Sequence, residues 1–498
     1  MFVKPKMRFL SIIFSIFLIP TTFGATAPFT PNELAIIQQY LFANITTDSH
    51  PIIKIEENHT IHSIPGAVLA SPSNQGAHFS QDYQFHWTRD AAITMNHVAY
   101  LYAHASPQEK QQLRPYLINY IHFEQIAQQQ ISKPGEQTLG QPKYNIDGSI
   151  WEGAWMRPQN DGPALRAITM ITIANLWMEE DEHYVQQSLL PIITTDINYV
   201  TSQWKNTSYD LWEEVNDREH FFNKMVQRKA LVDAAALFKK LGNEQQADAY
   251  LQTAQKITQS LLKHWNAHLG YLTETVNQQY FKGGGMNTSI ILGVLYGDLN
   301  DTNDPFAINS DKVLSSVYFI RNAFSGLYQI NIAHSQNPPM VGRYPNDIYD
   351  GDRFLYGNPW ILTTNALAQY YYSLAHFYLK QGKININHEN RLFFEQMNLP
   401  FARTAKSITV KDNKAQFDAI IDHLIRTGDT LLQTVKKYSV CYSDHTCYHL
   451  AEQIDRTSGK QTSAKDLTWG YTSLLSAMET RLGTVTSPTQ NPTGNLPH

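Results

Sequence analysis

The hydrophobic positions of the chain recur mainly with the spacing of an α-helix. Between Ala247 and Trp265 they stand three and four residues apart, which places them on one face of a helix that stops at Gly270. The same kind of stripe recurs along the chain, at about 31–44, 90–104, 113–131, 163–180, 186–204, 222–241, 247–265, 286–296, 311–331, 362–380, 415–438 and 466–482. Strand-like runs such as 52–55 are few and short, so a sheet protein built of βαβ units is disfavoured.

The connections between these predicted helices are long and rich in aromatic, acidic, Gly and Pro residues. They cover 132–162, 205–221, 266–285, 332–360 and 439–465. In compact domains, long structured connections are usually functional. About twelve helices alternating with such loops predict an all-α toroid, with six outer helices around six inner ones and a pocket formed by the loops at one end.

Composition narrows the possible functions. The 498 residues are enough for about three domains at ~150 residues each, although a single barrel can use the whole length. The 39 basic and 44 acidic side chains give a net charge of -5 with no basic block, so nucleic acid is not expected as a partner. The 2 cysteines cannot supply a four-ligand zinc site, and we expect neither a metal nor a cofactor.

The first 27 residues have the layout of a secretory signal peptide. Lys4, Lys6 and Arg8 precede an apolar run at 9–20, and the small residues that follow allow cleavage after Ala25 or Ala27. The run is too short for a membrane anchor, and no later segment is long enough, so a secreted protein is expected.

In an oxidising compartment Cys441 and Cys447 can form a disulfide, with two free thiols as the alternative. Residues 484–498 are predicted to be a flexible polar tail.

The loops carry acidic residues beside tryptophans. No nucleophile elbow, phosphate loop, zinc pair or dinucleotide fingerprint is found. The segment Asp-Leu-Trp-Glu-Glu-Val-Asn at 210–216 is the densest case. The combination recurs at 87–90 and 151–155 and, with a tyrosine as the aromatic residue, at 343–347. Aromatic faces stack on sugar rings, while Arg and Asp hold hydroxyl groups by charge-assisted hydrogen bonds. The combination therefore predicts a carbohydrate pocket.

Glu213 is the first candidate for catalysis. Hydrolysis of a glycosidic bond needs one protonated and one ionised carboxyl group. The apolar cover of Trp212 and the negative charge of Glu214 would both favour a protonated carboxyl at Glu213. The alternative interpretation is a helix N-terminus, where acidic residues interact with the helix dipole.

Several blocks in one order carry a family resemblance. The blocks are WTRD at 87–90, PKYN at 142–145, GAWMRPQNDGPALRA at 153–167, YDLWEEVN at 209–216, VGRYP at 341–345, GNPW at 357–360 and DLTW at 466–469. In sequence and order they resemble the glucoamylases of glycoside hydrolase family 15. The resemblance spans about 80–482 and implies an (α/α)6 barrel, a catalytic domain at 28–483, and an exo-acting, inverting glucan 1,4-α-glucosidase that releases β-glucose from starch, glycogen or maltooligosaccharides.

The resemblance also implies roles for individual residues. Glu213 matches the general acid and Glu452 the general base, and an inverting pair is expected to stand ~6.5–9.5 Å apart. The positions that match substrate contacts are Tyr83, Trp87, Arg89, Asp90, Trp155, Trp212, Glu214, Arg343, Asp347, Trp360 and Trp469. No metal ligand is implied, the partner is an α-glucan, and a monomer is expected.

Three features depart from the family pattern. Ile454 stands where a tyrosine usually follows the base, Trp151 replaces a smaller ring, and the loop at 350–356 is longer than usual. No starch-binding domain is predicted after the barrel, so soluble dextrins are expected to be better substrates than raw granules. Two alternatives stay open: an enzyme on the same scaffold for isomaltose, dextran or trehalose linkages, and a carbohydrate-binding protein without catalysis.

Overall fold

The computed structural model describes residues 26–56, 59–74, 81–130, 138–443 and 446–486. The helices of these residues are α1 (Pro31–Ala43), α2 (Thr88–His104), α3 (Pro107–Gln129), α4 (Gly162–Trp177), α5 (Glu182–Tyr184), α6 (Leu190–Gln203), α7 (Phe221–Lys240), α8 (Glu244–Leu261), α9 (Ser289–Tyr296), α10 (Asp311–Ser325), α11 (Gln329–Ile332), α12 (Ile361–Gln381), α13 (Arg391–Glu395), α14 (Lys414–Tyr438) and α15 (Thr468–Thr486). Residues 1–25 of the predicted signal peptide and 487–498 of the predicted tail lie outside the described residues.

Six of these helices close a ring. Helix α2 packs on α4, α4 on α7, α7 on α9, α9 on α12, α12 on α15, and α15 again on α2. A second helix covers each member from outside, with α3 on α2, α6 on α4, α8 on α7, α10 on α9, α14 on α12 and α1 on α15. The arrangement confirms the predicted (α/α)6 barrel, and each of the predicted helical stripes corresponds to one of these helices.

Inner and outer helices differ in how much of their surface is buried. Helix α4 is buried on nearly all sides from Gly162 to Ile171, because it has neighbours in the ring and an outer helix behind it. Helix α14 buries one face, which includes Ile420, Leu424 and Leu431. Charge-assisted hydrogen bonds also connect inner with outer helices. Buried Arg166 of α4 donates to Glu124 of α3 at 2.8 Å and to Asp196 of α6 at 2.6 Å.

Short antiparallel ladders hold the long connections in place. The described strands pair as β1 (Ile53–Ile55) with β2 (Thr60–His62), β3 (His86–Trp87) with β4 (Lys143–Tyr144), β5 (Ser208–Tyr209) with β6 (Asn216–Asp217), β7 (Trp265–Asn266) with β8 (Tyr271–Leu272), β9 (Lys383–Asn385) with β10 (Ser407–Thr409), and β11 (Gln453–Ile454) with β12 (Gln461–Thr462). Among the helices described, none has the length and apolar character needed to cross a membrane.

The connection between α14 and β11 contains both cysteines. Cys441 and Cys447 are joined by a disulfide, which is the first of the two alternatives that the sequence leaves open. The Tyr40 hydroxyl of α1 donates to the carbonyl oxygen of Cys447 at 3.1 Å. The small disulfide loop is thereby attached to the outer helix that precedes the ring.

Candidate active site

A pocket of about 730 Å³ lies at the N-terminal ends of the six inner helices. The connections that precede or begin α2, α4, α7, α9, α12 and α15 all contribute to its wall. The predicted site residues that line it are Tyr83, Trp87, Arg89, Asp90, Trp155, Trp212, Glu213, Glu214, Arg343, Trp360, Glu452 and Trp469. The ring of helices therefore brings together residues that are far apart in the chain. The volume of the pocket that they form suits a small ligand.

Glu213 lies in the tight connection between β5 and β6. One carboxylate oxygen of Asp210 accepts hydrogen bonds from the backbone N–H groups of Glu214 and Val215, both at 2.7 Å. Glu213 has a φ of 62°, a left-handed conformation that non-glycine residues rarely adopt. The alternative interpretation of this segment as a helix N-terminus is therefore wrong, because the segment is a loop between two strands.

Both carboxylate oxygens of Glu213 accept hydrogen bonds. The indole N–H of Trp87 and the guanidinium of Arg89 donate to Oε1 at 2.9 and 3.1 Å, and the indole N–H of Trp155 donates to Oε2 at 2.7 Å. Arg89 is held in turn by Gln159 and Asp161, each at 2.9 Å. Three side chains from two segments, the β3–α2 junction and the connection before α4, thus fix the position of the carboxyl group.

Lys143 lies behind the two indoles that hold Glu213. Its ammonium nitrogen is 3.7 Å from the ring centre of Trp155, 3.8 Å from that of Trp151 and 4.6 Å from that of Trp87. Burial among these rings lowers the pKa of Lys143 to about 7, although the negative charge of Glu213 opposes the shift. The sequence interpretation did not select this lysine, although it lies in the block at 142–145 and in the strand that pairs with Trp87.

Glu214 is neutralised by two cations. It forms ion pairs with Lys282 and with Arg343, the latter at 2.9 Å, and it accepts a hydrogen bond from the Tyr344 hydroxyl at 2.7 Å. Burial alone would raise the pKa of Glu214, but Arg343 and Lys282 outweigh it and lower that pKa. The sequence argument that Glu214 acts on Glu213 as an uncompensated negative charge is therefore not supported.

Arg343 is oriented by Asp347. Two nitrogens of the buried guanidinium donate to the two oxygens of Asp347, each at 2.7 Å, so the pair is a two-point contact rather than an exposed ion pair. Asp347 lies behind Arg343 and does not line the pocket. Its contacts are those of a residue that positions Arg343, and a direct contact with substrate stays a prediction.

Glu452 is the second carboxyl group in the pocket wall, and it is almost fully buried. Its Oε2 accepts hydrogen bonds from the Ser463 hydroxyl and, at 3.0 Å, from the amide of Gln453. Burial raises the pKa of Glu452, and the bonds from Ser463 and Gln453 only partly oppose the rise. Ile454 is in the core, so Ser463 and Gln453 supply the local hydrogen bonds to this carboxyl group.

The remaining wall is aromatic, with one further acid. The Trp212 and Trp360 ring centres are 5.6 Å apart, and the indole N–H groups of Trp212 and Trp469 donate to Asn287 at 2.8 Å and Tyr296 at 2.9 Å. Asp90 lies beside Arg89, with 3.5 Å between charged atoms. Burial raises the pKa of Asp90 to about 7 although Arg89 opposes it, so this carboxyl group changes charge near neutral pH.

Several wall residues were missed from the sequence. They include Lys282, Tyr344 and Tyr349, and the Tyr349 hydroxyl lies 3.1 Å from that of Tyr83. Tyr344 stands inside the block at 341–345, so its position already carried a signal, whereas Lys282 was marked only by its place in a long loop. No cluster of three His, Cys, Asp or Glu side chains suited to a metal ion occurs within the described ranges.

The Ser463 hydroxyl offers a test of the environment of Glu452. A donor to the ionised carboxylate lowers its pKa, so Ser463→Ala is expected to raise the pKa of Glu452 further. If Glu452 must be ionised for activity, the acidic limb of the kcat/KM profile then moves to higher pH while the alkaline limb stays. Ser458→Ala is the control, because that hydroxyl bonds Asp455 instead. An unchanged acidic limb would contradict this assignment.

The chain matches a family model over most of its length. Residues 51–479 match the model described as glycosyl hydrolases family 15. The chain is 31% identical over 466 residues to a glucoamylase of Blastobotrys adeninivorans, covering 90% of this chain and 70% of that protein. It is 33% identical over 432 residues to a glucoamylase of Rhizopus oryzae, covering 84% of this chain and 67% of that protein.

Solved structures agree with the sequence matches. A glucoamylase from Saccharomycopsis fibuligera superimposes with a TM-score of 0.79 at 30% identity, covering 90% of this chain and 94% of that one. A family 15 glucoamylase from Hypocrea jecorina gives a TM-score of 0.77 at 30% identity, covering 92% of this chain and 72% of that one. The similarity thus extends over most of the chain.

Proposed function

The chain belongs to glycosyl hydrolase family 15, and we propose that it removes single glucose units from the non-reducing ends of α-1,4-glucans with inversion at the anomeric carbon. It is a glycoside hydrolase that acts on starch as the glucoamylases of the family do. Slower cleavage of α-1,6 bonds is part of the proposal. The observation that carries it is the presence of Glu213 and Glu452 in the wall of one pocket, together with arginine, acid and tryptophan side chains suited to sugar hydroxyls and ring faces.

Each carboxyl group has a proposed part in the reaction. Glu213 donates its proton to the glycosidic oxygen as the bond to the anomeric carbon breaks. Glu452 takes a proton from a water molecule, whose oxygen attacks that carbon from the opposite face and yields β-glucose. Tyr83 is proposed to lie near this water. The separation of ~6.5–9.5 Å typical of inverting pairs is the expected distance between the two groups.

The other wall residues are proposed to hold the terminal glucose. Arg343, oriented by Asp347, and the Arg89–Asp90 pair offer charged donors and acceptors to hydroxyl groups. Trp212 and Trp360 offer ring faces, and Trp469 closes the wall at the start of α15. Trp87 and Trp155 act through Glu213, because their N–H groups hold its carboxylate.

The test is the anomeric form of the first product. Maltoheptaose digestion followed by proton NMR within the first minutes is expected to show β-glucose and shortened chains, without maltose or longer internal fragments. Isomaltose and α,α-trehalose run in parallel measure the linkage preference, and maltoheptaose is expected to be cleaved fastest. Initial α-glucose would refute inversion, faster cleavage of another linkage would favour the alternative enzyme, and binding without turnover would favour a binding protein.

We also propose that the protein is exported and acts as a monomer. The basic and apolar pattern at 1–27 supports a cleaved leader, and cleavage is expected after Ala25 or Ala27. The Cys441–Cys447 disulfide agrees with an oxidising compartment.

A further inference from the structure

A second cavity, of about 230 Å³, lies between the outer helix α1 and the inner helices α2 and α15. Most of its wall is apolar and includes Leu34, Leu101, Leu475, Met478 and Leu482. His97, in its wall, follows Arg89 by two turns of α2, about 12 Å along the helix axis. Glu479 follows Trp469 by nearly three turns of α15, about 15 Å. The cavity is therefore separate from the active-site pocket, whose wall contains Arg89 and Trp469.

Three polar side chains line this cavity without a matching partner. Within the described residues, no hydrogen bond reaches the Nε2 atoms of Gln38 and His97, and both residues are less than a tenth exposed. Glu479 lies 3.5 Å from the Nδ1 atom of His97, and no Lys or Arg in that part of the chain pairs with it. Buried polar groups without partners are costly, so their collection around one cavity indicates a ligand that pairs with them.

The electrostatics of the cavity favour a cation. Burial raises the pKa of Glu479 well above its ordinary value, and burial lowers the pKa of His97 to about 4. His97 is therefore neutral near neutral pH and cannot neutralise the carboxylate, whereas a cationic ligand beside Glu479 would stabilise the ionised form.

The hydrogen-bonding capacity of the wall points to an N–H donor. The carboxylate of Glu479 favours a hydrogen on the nearby Nδ1 of His97, which leaves the lone pair of Nε2 as an acceptor. Gln38 can present its amide oxygen as a further acceptor when the amide plane is turned. An ammonium group has three N–H donors and a positive charge, so it matches these acceptors and Glu479 together.

Aromatic rings line the α2 side of the cavity. The ring centres of Tyr100 and His104 are 4.2 Å apart, and those of His97 and Tyr100 are 6.4 Å apart. Tyr100 is 42% exposed, so this side of the cavity is open to solvent. Tyrosine ring faces attract cations, and the leucine and methionine side chains of the wall suit a hydrocarbon body.

We propose that the cavity between α1, α2 and α15 binds a small organic ammonium ion with an apolar body, held at its charged end by Glu479 and His97. The hydrocarbon part of the ligand lies against the leucine and methionine side chains, and the ring of Tyr100 borders the entrance. This site is distinct from the proposed catalytic site and does not depend on the proposed function.

The test is calorimetric titration of the full protein at neutral pH with 2-phenylethylamine, whose amino group is charged under these conditions. We expect one site with a Kd of about 1 mM or tighter. The neutral analogue 2-phenylethanol is expected not to bind measurably. Glu479→Gln is expected to weaken binding of the amine by about tenfold or more, because a charge-assisted contact is lost. Glu244→Gln, at an exposed position on α8, is the matched control and is expected to retain the Kd.

A second variant tests the cavity without changing its charge. Ala35 of α1 lines the cavity, and Ala35→Phe is expected to weaken binding of the amine at least as much as Glu479→Gln. Activity on maltoheptaose is expected to stay unchanged in Ala35→Phe, because the cavity is remote from the catalytic pocket. Thermal unfolding checks that both variants are folded, and either of them alone is sufficient for the test.

The catalytic pocket also contains carboxyl groups, so Glu213→Gln and Glu452→Gln are titrated in the same way. Both are expected to bind the amine as tightly as the unmodified protein does. Weaker binding in these variants, with unchanged binding in Glu479→Gln, would place the amine in the catalytic pocket and overturn the proposal. No binding of the amine, or equal binding of 2-phenylethanol, would also overturn it.

Discussion

Glu213→Gln is expected to lower kcat on maltoheptaose by about 10²–10⁴-fold, the usual contribution of a general acid. Glutamine keeps the size of the side chain and an oxygen that can accept hydrogen bonds from Trp87 or Arg89, but it has no proton to give to the leaving oxygen. The effect on KM is expected to be small, because the hydroxyl-binding side chains are unchanged. Single-turnover glucose release measures the loss directly.

A substrate with a better leaving group distinguishes the loss of acid catalysis from general damage to the site. Fluoride needs little protonation to depart, so Glu213→Gln is expected to retain most of its activity on α-glucosyl fluoride. Glu244→Gln, at an exposed position on α8, is the control for the substitution itself. If the variant lost activity equally on the fluoride and on maltoheptaose, Glu213 would not be the acid.

Glu452→Gln is expected to cause the second large loss, again about 10²–10⁴-fold, and on both substrates. The attacking water loses its proton acceptor whichever group departs, so the fluoride is not expected to restore activity. The pH profile adds a second signature. Burial raises the pKa of Glu452, so the acidic limb of the unmodified enzyme is expected above pH 4.5 and is expected to vanish in the variant.

The two variants therefore have opposite patterns on one pair of substrates. Retained fluoride activity in Glu452→Gln, with an unchanged acidic limb, would exchange the two roles or remove Glu452 from the mechanism. Glu244→Gln again serves as the control, and thermal unfolding of both variants checks that the barrel is intact. Glu452 bonds Ser463 and Gln453, so a moderate loss of stability in Glu452→Gln is compatible with the assignment.

Local patterns in the sequence were enough to predict that the helices exist and roughly where they lie. Each stripe of apolar residues at helical spacing corresponds to a helix, because one buried face is needed whether the helix lies inside or outside the ring. The ends were less accurate: the stripe at 311–331 predicted one helix, whereas α10 ends at Ser325 and α11 follows. Residues 484–486, which were predicted to belong to the tail, belong to α15, since this helix continues to Thr486.

The blocks of acids, arginines and tryptophans located the site residues but not their partners. Pocket-lining Glu213 and Arg343 stand in such blocks, whereas Lys282 stands in a loop without one. The charge of Glu214 was misjudged for this reason, because both cations that neutralise it come from other connections. The aromatic rings that surround the Lys143 ammonium group also come from more than one segment, so the sequence alone did not bring them together.

By itself, the sequence determined the all-α class, the family and the candidate catalytic residues, because periodicity and motifs are properties of short segments. Only the tertiary structure decided which of these segments meet. Closure of the ring from α2 to α15 places the starts of six helices around one pocket, and it brings Glu452 to the pocket that holds Glu213. Burial raises the pKa of Glu452 and ion pairing lowers that of Glu214, and both effects depend on the folded chain because they come from neighbours in distant segments.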